Sequence, residues 1–186
     1  MNRITISIAV LFILVLAVNL PSWMADEHIA PKEQTEAAWL PNYQASTMLS
    51  TLYHEDGTIN HQVFAHKMEH FELLGFTLFK SPRYTIFLKA QEPWMVQASE
   101  GTLYEDNRIQ FENDVEITRV DEEGFVQTIR THFIEVDLSD KTLFSDQAVE
   151  ITGQNYVINS NGLTANLETL KYELIDHVQT VYQPLP

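Results

Sequence analysis

The sequence predicts an all-β domain of repeated antiparallel strands behind one N-terminal membrane helix. Three observations carry that expectation: an uncharged apolar run at the N-terminus, period-two alternation through the remainder, and a segment that repeats without a gap. Composition is compatible with one such domain. The 186 residues are 45% hydrophobic and 11% aromatic, enough for a core and too much for an acidic disordered tail. Lys and Arg number 11 against 26 Asp and Glu, a formal charge of −15. The clustered cations that a phosphate backbone requires are missing, which excludes a nucleic-acid function. The absence of cysteine excludes disulfides, thiolate metal sites and thiol nucleophiles.

The apolar run extends from Ile4 to Leu20 without a charge and continues through Trp23 and Met24. That is about 20 residues, the length at which a helix crosses a bilayer. A cleaved signal peptide is the competing reading. Its apolar core would be shorter, roughly 7–15 residues, and would end at small residues; Trp23-Met24-Ala25 places a large ring there. The expectation is an uncleaved single-pass anchor over residues 1–24. Arg3 before it and Asp26 and Glu27 after it put the N-terminus in the cytoplasm. In a Gram-negative cell the remainder then faces the periplasm. Residues 25–42 are polar, acidic and punctuated by Pro31 and Pro41, as a short stalk would be.

Residues 43–186 are expected to form the domain. Ile109, Phe111, Val115 and Ile117 share one parity, as do Val149 and Ile151, and Val178, Thr180 and Tyr182. Such alternation indicates strands with one buried face. Asp56-Gly57, Asn113-Asp114, Glu123-Gly124 and Asn161-Gly162 read as the turns between them. Met95–Ile117 lies over Ile129–Ile151 at a shift of about 34 residues, pairing Ile109 with Leu143, Val115 with Val149 and Ile117 with Ile151. A third copy spans Ser160–Val178 and a weaker first copy Val63–Phe87. A strand pair cannot bury its face alone, so stacked copies build one continuous core. Gly57 and Gly162 are expected at positive φ in two-residue turns, and Gly153 to end a strand.

A search for chemistry finds little. His61, His66 and His70 are the one metal-like constellation, since residues four apart on a strand share a face, but no fourth ligand accompanies them. Surface or half-buried histidines are the preferred account, and no metal or cofactor is expected. No nucleophile elbow, Walker loop, dinucleotide fingerprint or zincin motif occurs. The carboxylates cluster at turn positions such as Glu105-Asp106 and Asp121-Glu122-Glu123, where solvated charge is the default. The chain is not expected to be an enzyme.

Leu52 through Gly57, Ser81-Pro82, Trp94 through Leu103, Asn113 through Ile117, Asn161-Gly162-Leu163 and Glu173 through Tyr182, in that order and behind an anchor and acidic stalk, resemble the LptC family. Its members are the bitopic inner-membrane components of lipopolysaccharide export. The resemblance implies a periplasmic V-shaped β-jellyroll whose lumen holds lipopolysaccharide acyl chains, with Phe79 and Phe111 as lumen candidates. It also implies that strand edges are used for docking. The N-terminal edge, with Tyr43, Met48 and Tyr53, would face the transporter subunit LptF of the LptB/LptF/LptG ABC transporter. The C-terminal edge, with Tyr172, Val178, Thr180 and Tyr182, would face periplasmic LptA. Moving acyl chains out of a bilayer costs roughly 0.8 kcal/mol per CH₂, and a chain with no nucleotide site needs an energised partner for that. The alternative is a membrane-tethered scaffold that binds proteins through its edges and carries no lipid; it would fill the lumen with side chains.

Overall fold

The computed structural model describes residues 15–16, 39–88, 92–119 and 126–182. The chain separates into Met1–Leu40 and Pro41–Pro186. Apart from residues 15–16 the anchor lies outside the described residues, as do most of the stalk and Glu123-Gly124. Among the described residues, no helix is long and apolar enough to cross a membrane.

The second unit is built from strands. In chain order they are β1 (Tyr43–Tyr53), β2 (Ile59–Phe71), β3 (Phe76–Lys80), β4 (Arg83–Ile86), β5 (Trp94–Gln97), β6 (Glu100–Tyr104), β7 (Arg108–Arg119), β8 (Thr128–Asp137), β9 (Thr142–Ser145), β10 (Val149–Thr152), β11 (Tyr156–Ser160), β12 (Leu163–Asn166), β13 (Lys171–Leu174) and β14 (Gln179–Tyr182). All pairings are antiparallel. The all-β expectation is met.

The register divides the strands into two sheets. β2 pairs β4 through His61–Phe64 but β3 through Lys67–Phe71. β7 pairs β6 through Leu103 and Gly101 but β5 beyond Val115, and β8 likewise serves β10 with its first half and β9 with its second. Sheet I therefore runs β1-β2-β4-β5-β7-β8-β10-β11-β14, and sheet II runs β1-β2-β3-β6-β7-β8-β9-β12-β13. The four long strands β1, β2, β7 and β8 belong to both. Where the chain passes between sheets, short backbone bonds tie the crossings together: the Ser81 N–H donates to Ser99 O at 2.8 Å and the Ser99 N–H to Asn113 O at 2.9 Å.

This division explains the repeat. The first copy spends β5 and β6 where the second has the single strand β8, and the single strand β7 where the second has β9 and β10. It also corrects one turn. Asn113-Asp114 is a bulge inside β7, where the register shifts between Glu112 and Val115. Both residues have positive φ, 61° and 53°, which Asn and Asp tolerate. Gln147-Ala148, their counterparts in the second copy, break the strand instead.

Inward side chains of both sheets form one core. Ile109, Phe111, Val115 and Ile117 are all buried, as the alternation requires, and Tyr84 of sheet I meets Phe111 of sheet II edge-on at 6.1 Å. Gly101 lies between Phe79 and Phe111 in register. A Cβ there would make ordinary contact with the Phe111 ring at 3.5 Å but press on the Pro82 Cγ at 3.2 Å.

Gly57 closes the β1–β2 turn at φ 84°, with its N–H donating to His54 O. Gly162 differs from expectation. It is not at positive φ, and it joins β11 to β12 across the two sheets rather than closing a hairpin. What restricts it is space, because a Cβ would lie 3.1 Å from the Ile175 Cβ and 3.2 Å from Ser145 O. Gly153 follows β10 directly and packs under the Tyr156 ring.

Candidate functional site

The interior is not filled evenly. Around Phe79 and Phe111, which are 5% and 0% exposed, side chains from both sheets close the space. Towards the C-terminal end the chain stops contributing bulk. β13 and β14 are strands of only four residues, each the last in its sheet. Between β10 and β11 of sheet I and β13 of sheet II a cavity of about 490 Å³ remains, lined by Arg119, Val126, Ile151, Ile158, Leu170, Tyr172 and Leu174. That volume lies in the range of small-molecule pockets, which are usually apolar with a few convergent polar groups.

Register explains the lining. Ile117, Ile129, Ile151 and Ile158 stand opposite one another across four neighbouring strands of sheet I. Leu143, Ala165 and Tyr172 form the facing row of sheet II. Branched aliphatics in register make a smooth apolar wall. The cavity's polar groups are Arg119 and Tyr172. The Arg119 guanidinium lies over the Trp94 ring at 5.7 Å. Burial pushes the Tyr172 phenol above its usual range, against the opposing pull of the Arg119 charge.

The residues singled out from sequence fall in four places. Phe79 and Phe111 lie between the sheets but in the packed part. Tyr43, Met48 and Tyr53 lie on β1, which among the described residues pairs with β2 alone and leaves its other edge unpaired. Tyr43 and Tyr53 are exposed, whereas Met48 turns inward against the core. The expected single C-terminal edge is two edges. Tyr172 lies on β13, which ends sheet II, while Thr180 and Tyr182 lie on β14, which ends sheet I, with Val178 just before it. The chain switches sheets between them at Ile175–Val178, where Asp176 and His177 take positive φ. Tyr172 faces the cavity; Val178 and Tyr182 are exposed, the latter at 76%.

The three histidines are not convergent. His61 stacks on Tyr84 at 5.0 Å, His66 meets Phe64 edge-on, and His70 stacks on Tyr43 and shares a 2.9 Å hydrogen bond with Thr77. Among the described residues no cluster of three or more His, Cys, Asp or Glu is placed to hold a metal.

Arg119, Ile158, Leu170 and Leu174 did not emerge from the sequence as site residues. Ile158 and Leu174 carry the alternating signal of a strand, but that signal marks a buried face and does not separate filled interior from open cavity.

Two sheets sharing long strands around a partly open apolar interior define a β-jellyroll, and the fold matches a solved one. The crystal structure of LptH, described as the LptA homologous periplasmic component of the conserved lipopolysaccharide transport device from Pseudomonas aeruginosa, superposes with a TM-score of 0.53 at 8% identity, covering 67% of this chain and 95% of that one. The family model for LptC, described as lipopolysaccharide-assembly, LptC-related, matches residues 8–183. The chain belongs to this LptC-related family. It is 25% identical over 146 residues to the lipopolysaccharide export system protein LptC of Escherichia coli (strain K12), covering 77% of this chain and 75% of that protein. It is 22% identical over 161 residues to the protein of the same name from Haemophilus influenzae, covering 77% of each.

Proposed function

We propose that this chain carries lipopolysaccharide from the inner membrane towards the outer membrane, without catalysis of its own. In this reading residues 1–24 anchor it in the inner membrane with the N-terminus cytoplasmic, residues 25–42 form a stalk, and residues 43–186 stand in the periplasm. It receives lipopolysaccharide from the LptB/LptF/LptG ABC transporter at the β1 edge and passes it to LptA at the C-terminal edges. The acyl chains lie between sheets I and II, which splay as a V to admit them. The observation that carries the reading is the apolar cavity at the C-terminal end, beside both terminal edges and lined by Ile151, Ile158, Leu170 and Leu174. A route for acyl chains needs such a space at the end where cargo leaves.

The scaffold reading has one observation in its favour: the interior at Phe79 and Phe111 is packed. Photo-crosslinking the full chain to lipopolysaccharide from position 158, with and without Leu174→Asp, separates the two. A carrier crosslinks and loses the adduct when charge enters the cavity. A scaffold gives no adduct from position 158 yet still captures LptA.

A further inference from the structure

We infer that Tyr84 and Trp94 form a hydrogen-bonding site on the inner face of sheet I for the ester or amide carbonyl that joins an amphiphile's head to its acyl chains. The inference rests on the interior being a lipid site, as proposed above, and adds which part of the lipid it recognises. Both side chains are enclosed, at 2% and 1% exposure. Yet the Tyr84 hydroxyl and the Trp94 Nε1 have no hydrogen-bond partner among the described residues. A buried donor left unpaired is costly, and native interiors contain few of them. Two on adjacent strands call for a shared explanation.

Neither polar atom is needed for packing. Tyr84 stacks on His61 at 5.0 Å and meets Phe111 edge-on at 6.1 Å, contacts that a phenyl ring makes equally well. Arg119 lies over the face of the Trp94 ring and makes no demand on its N–H. What the pair accepts follows from its donors. An indole N–H only donates. Burial pushes the Tyr84 phenol far above its ordinary 10, so it stays protonated and able to donate. Their complement is an acceptor with two lone pairs and no proton of its own, which a carbonyl oxygen is. A phosphate or carboxylate loses more on leaving water, and a hydroxyl brings a further donor that itself needs a partner.

Register ties the pair to a route through the domain. Leu52, His61, Ile86, Trp94 and Arg119 stand opposite one another in turn across β1, β2, β4, β5 and β7. That row runs from the β1 edge to Arg119 in the cavity lining. Tyr84 lies in the next row inward, between Val63 and Val96. Acyl chains moving along this face lie against Ile86 and Val96, both buried, while their carbonyls pass Tyr84 and Trp94. The His61 Nδ1, also buried without a partner among the described residues, extends the polar line towards β1. Asn60, whose Oδ1 is likewise unpartnered, stands on the alternate parity of the chain and outside the row.

The test uses the full chain in dodecyl maltoside micelles, which contain no carbonyl, and two probes with a photoreactive group in the chain. One is a monoacylglycerol, the other the matching alkylglycerol ether, so that only the carbonyl differs. Labelling of peptides within 43–182 is measured by mass spectrometry. The ester should label them about tenfold more than the ether, the scale of two modest hydrogen bonds. Tyr84→Phe removes one donor and should lower the ratio to about threefold. With isotope-labelled tryptophan, the Trp94 indole proton, assigned by its loss in Trp94→Phe, should move downfield with the ester and not with the ether. Equal labelling by the two probes overturns the carbonyl site and leaves the lipid interior standing. So does an ester preference that Tyr84→Phe leaves unchanged while the Trp94 proton stays in place. Labelling by neither probe overturns both readings. If Tyr84→Phe fails to fold, the Trp94 proton of the unaltered chain decides: a downfield move with the ester alone supports the site, and no move refutes it.

Discussion

The Tyr156 ring occupies the space that a Cβ on Gly153 would take. Gly153 directly follows β10 and Tyr156 opens β11, and the Gly153 N–H donates to Tyr156 O at 3.0 Å. Any side chain at 153 must evict the ring. Tyr156 also pairs with Tyr182, so the displacement passes directly to β14. Gly153→Ala should cost about 1–3 kcal/mol, as overpacking does. Hydrogen exchange should accelerate in 156–160 and 179–182 while 108–119 stays protected. Uniform acceleration across all three segments would show that the contact is not local.

Phe111 stands opposite Gly101 in the ladder of sheet II and meets the Tyr84 ring of sheet I. Phe111→Ala should destabilise by about 3–5 kcal/mol, the range for removing a buried aromatic ring. Urea unfolding of the full chain, followed by β-sheet circular dichroism, measures it. Leu170→Ala, on the cavity wall and 41% exposed, should cost far less. Comparable losses at the two positions would mean that the cavity is as tightly packed as the centre.

Much of this architecture is legible in the sequence, for a physical reason. A strand with one buried face must alternate, so the inward set at Ile109, Phe111, Val115 and Ile117 can be read without coordinates. Sheet membership cannot. Asn113-Asp114 looks like a turn because the same residues that permit positive φ in a hairpin also permit a bulge. Tyr172 and Tyr182 look like one edge because only the switch at Asp176-His177 sends them to different sheets. Arg119 was hidden for a third reason. Its place depends on pairings along β5, β7 and β13, and single-chain periodicity carries none of them.

His61 adds an acid sensitivity. Burial holds its imidazole below the ordinary 6.5, helped by the nearby Lys141 and His54 charges, and its Nδ1 is buried with no hydrogen-bond partner among the described residues. As pH falls, the unfolded chain takes up this proton before the folded one does. Stability is therefore whole above about 6.5 and declines as pH falls from there through the folded-state value. Urea midpoints at pH of about 7.5 and about 5.5 should differ, and His61→Phe should shrink the difference. An unchanged difference would assign the acid loss to other groups.

Tyr84 sets the opposite limit. It is 2% exposed in the core, its hydroxyl has no hydrogen-bond partner among the described residues, and burial pushes the phenol well above its ordinary 10. The unfolded chain releases this proton first as pH rises, so stability is whole below about 10 and falls above it. Tyr156 and Tyr172 are pushed upward as well and add to the same alkaline loss. Removing the Tyr84 hydroxyl removes an unpaired polar atom together with its titration. At neutral pH Tyr84→Phe should therefore be neutral or stabilising by up to about 1 kcal/mol, because the ring contacts with His61 and Phe111 survive. At pH of about 11 it should outlast the unaltered chain by a wider margin. Thermal unfolding at both pH values measures this. A Tyr84→Phe chain less stable at neutral pH would reveal an acceptor or an ordered water on that hydroxyl.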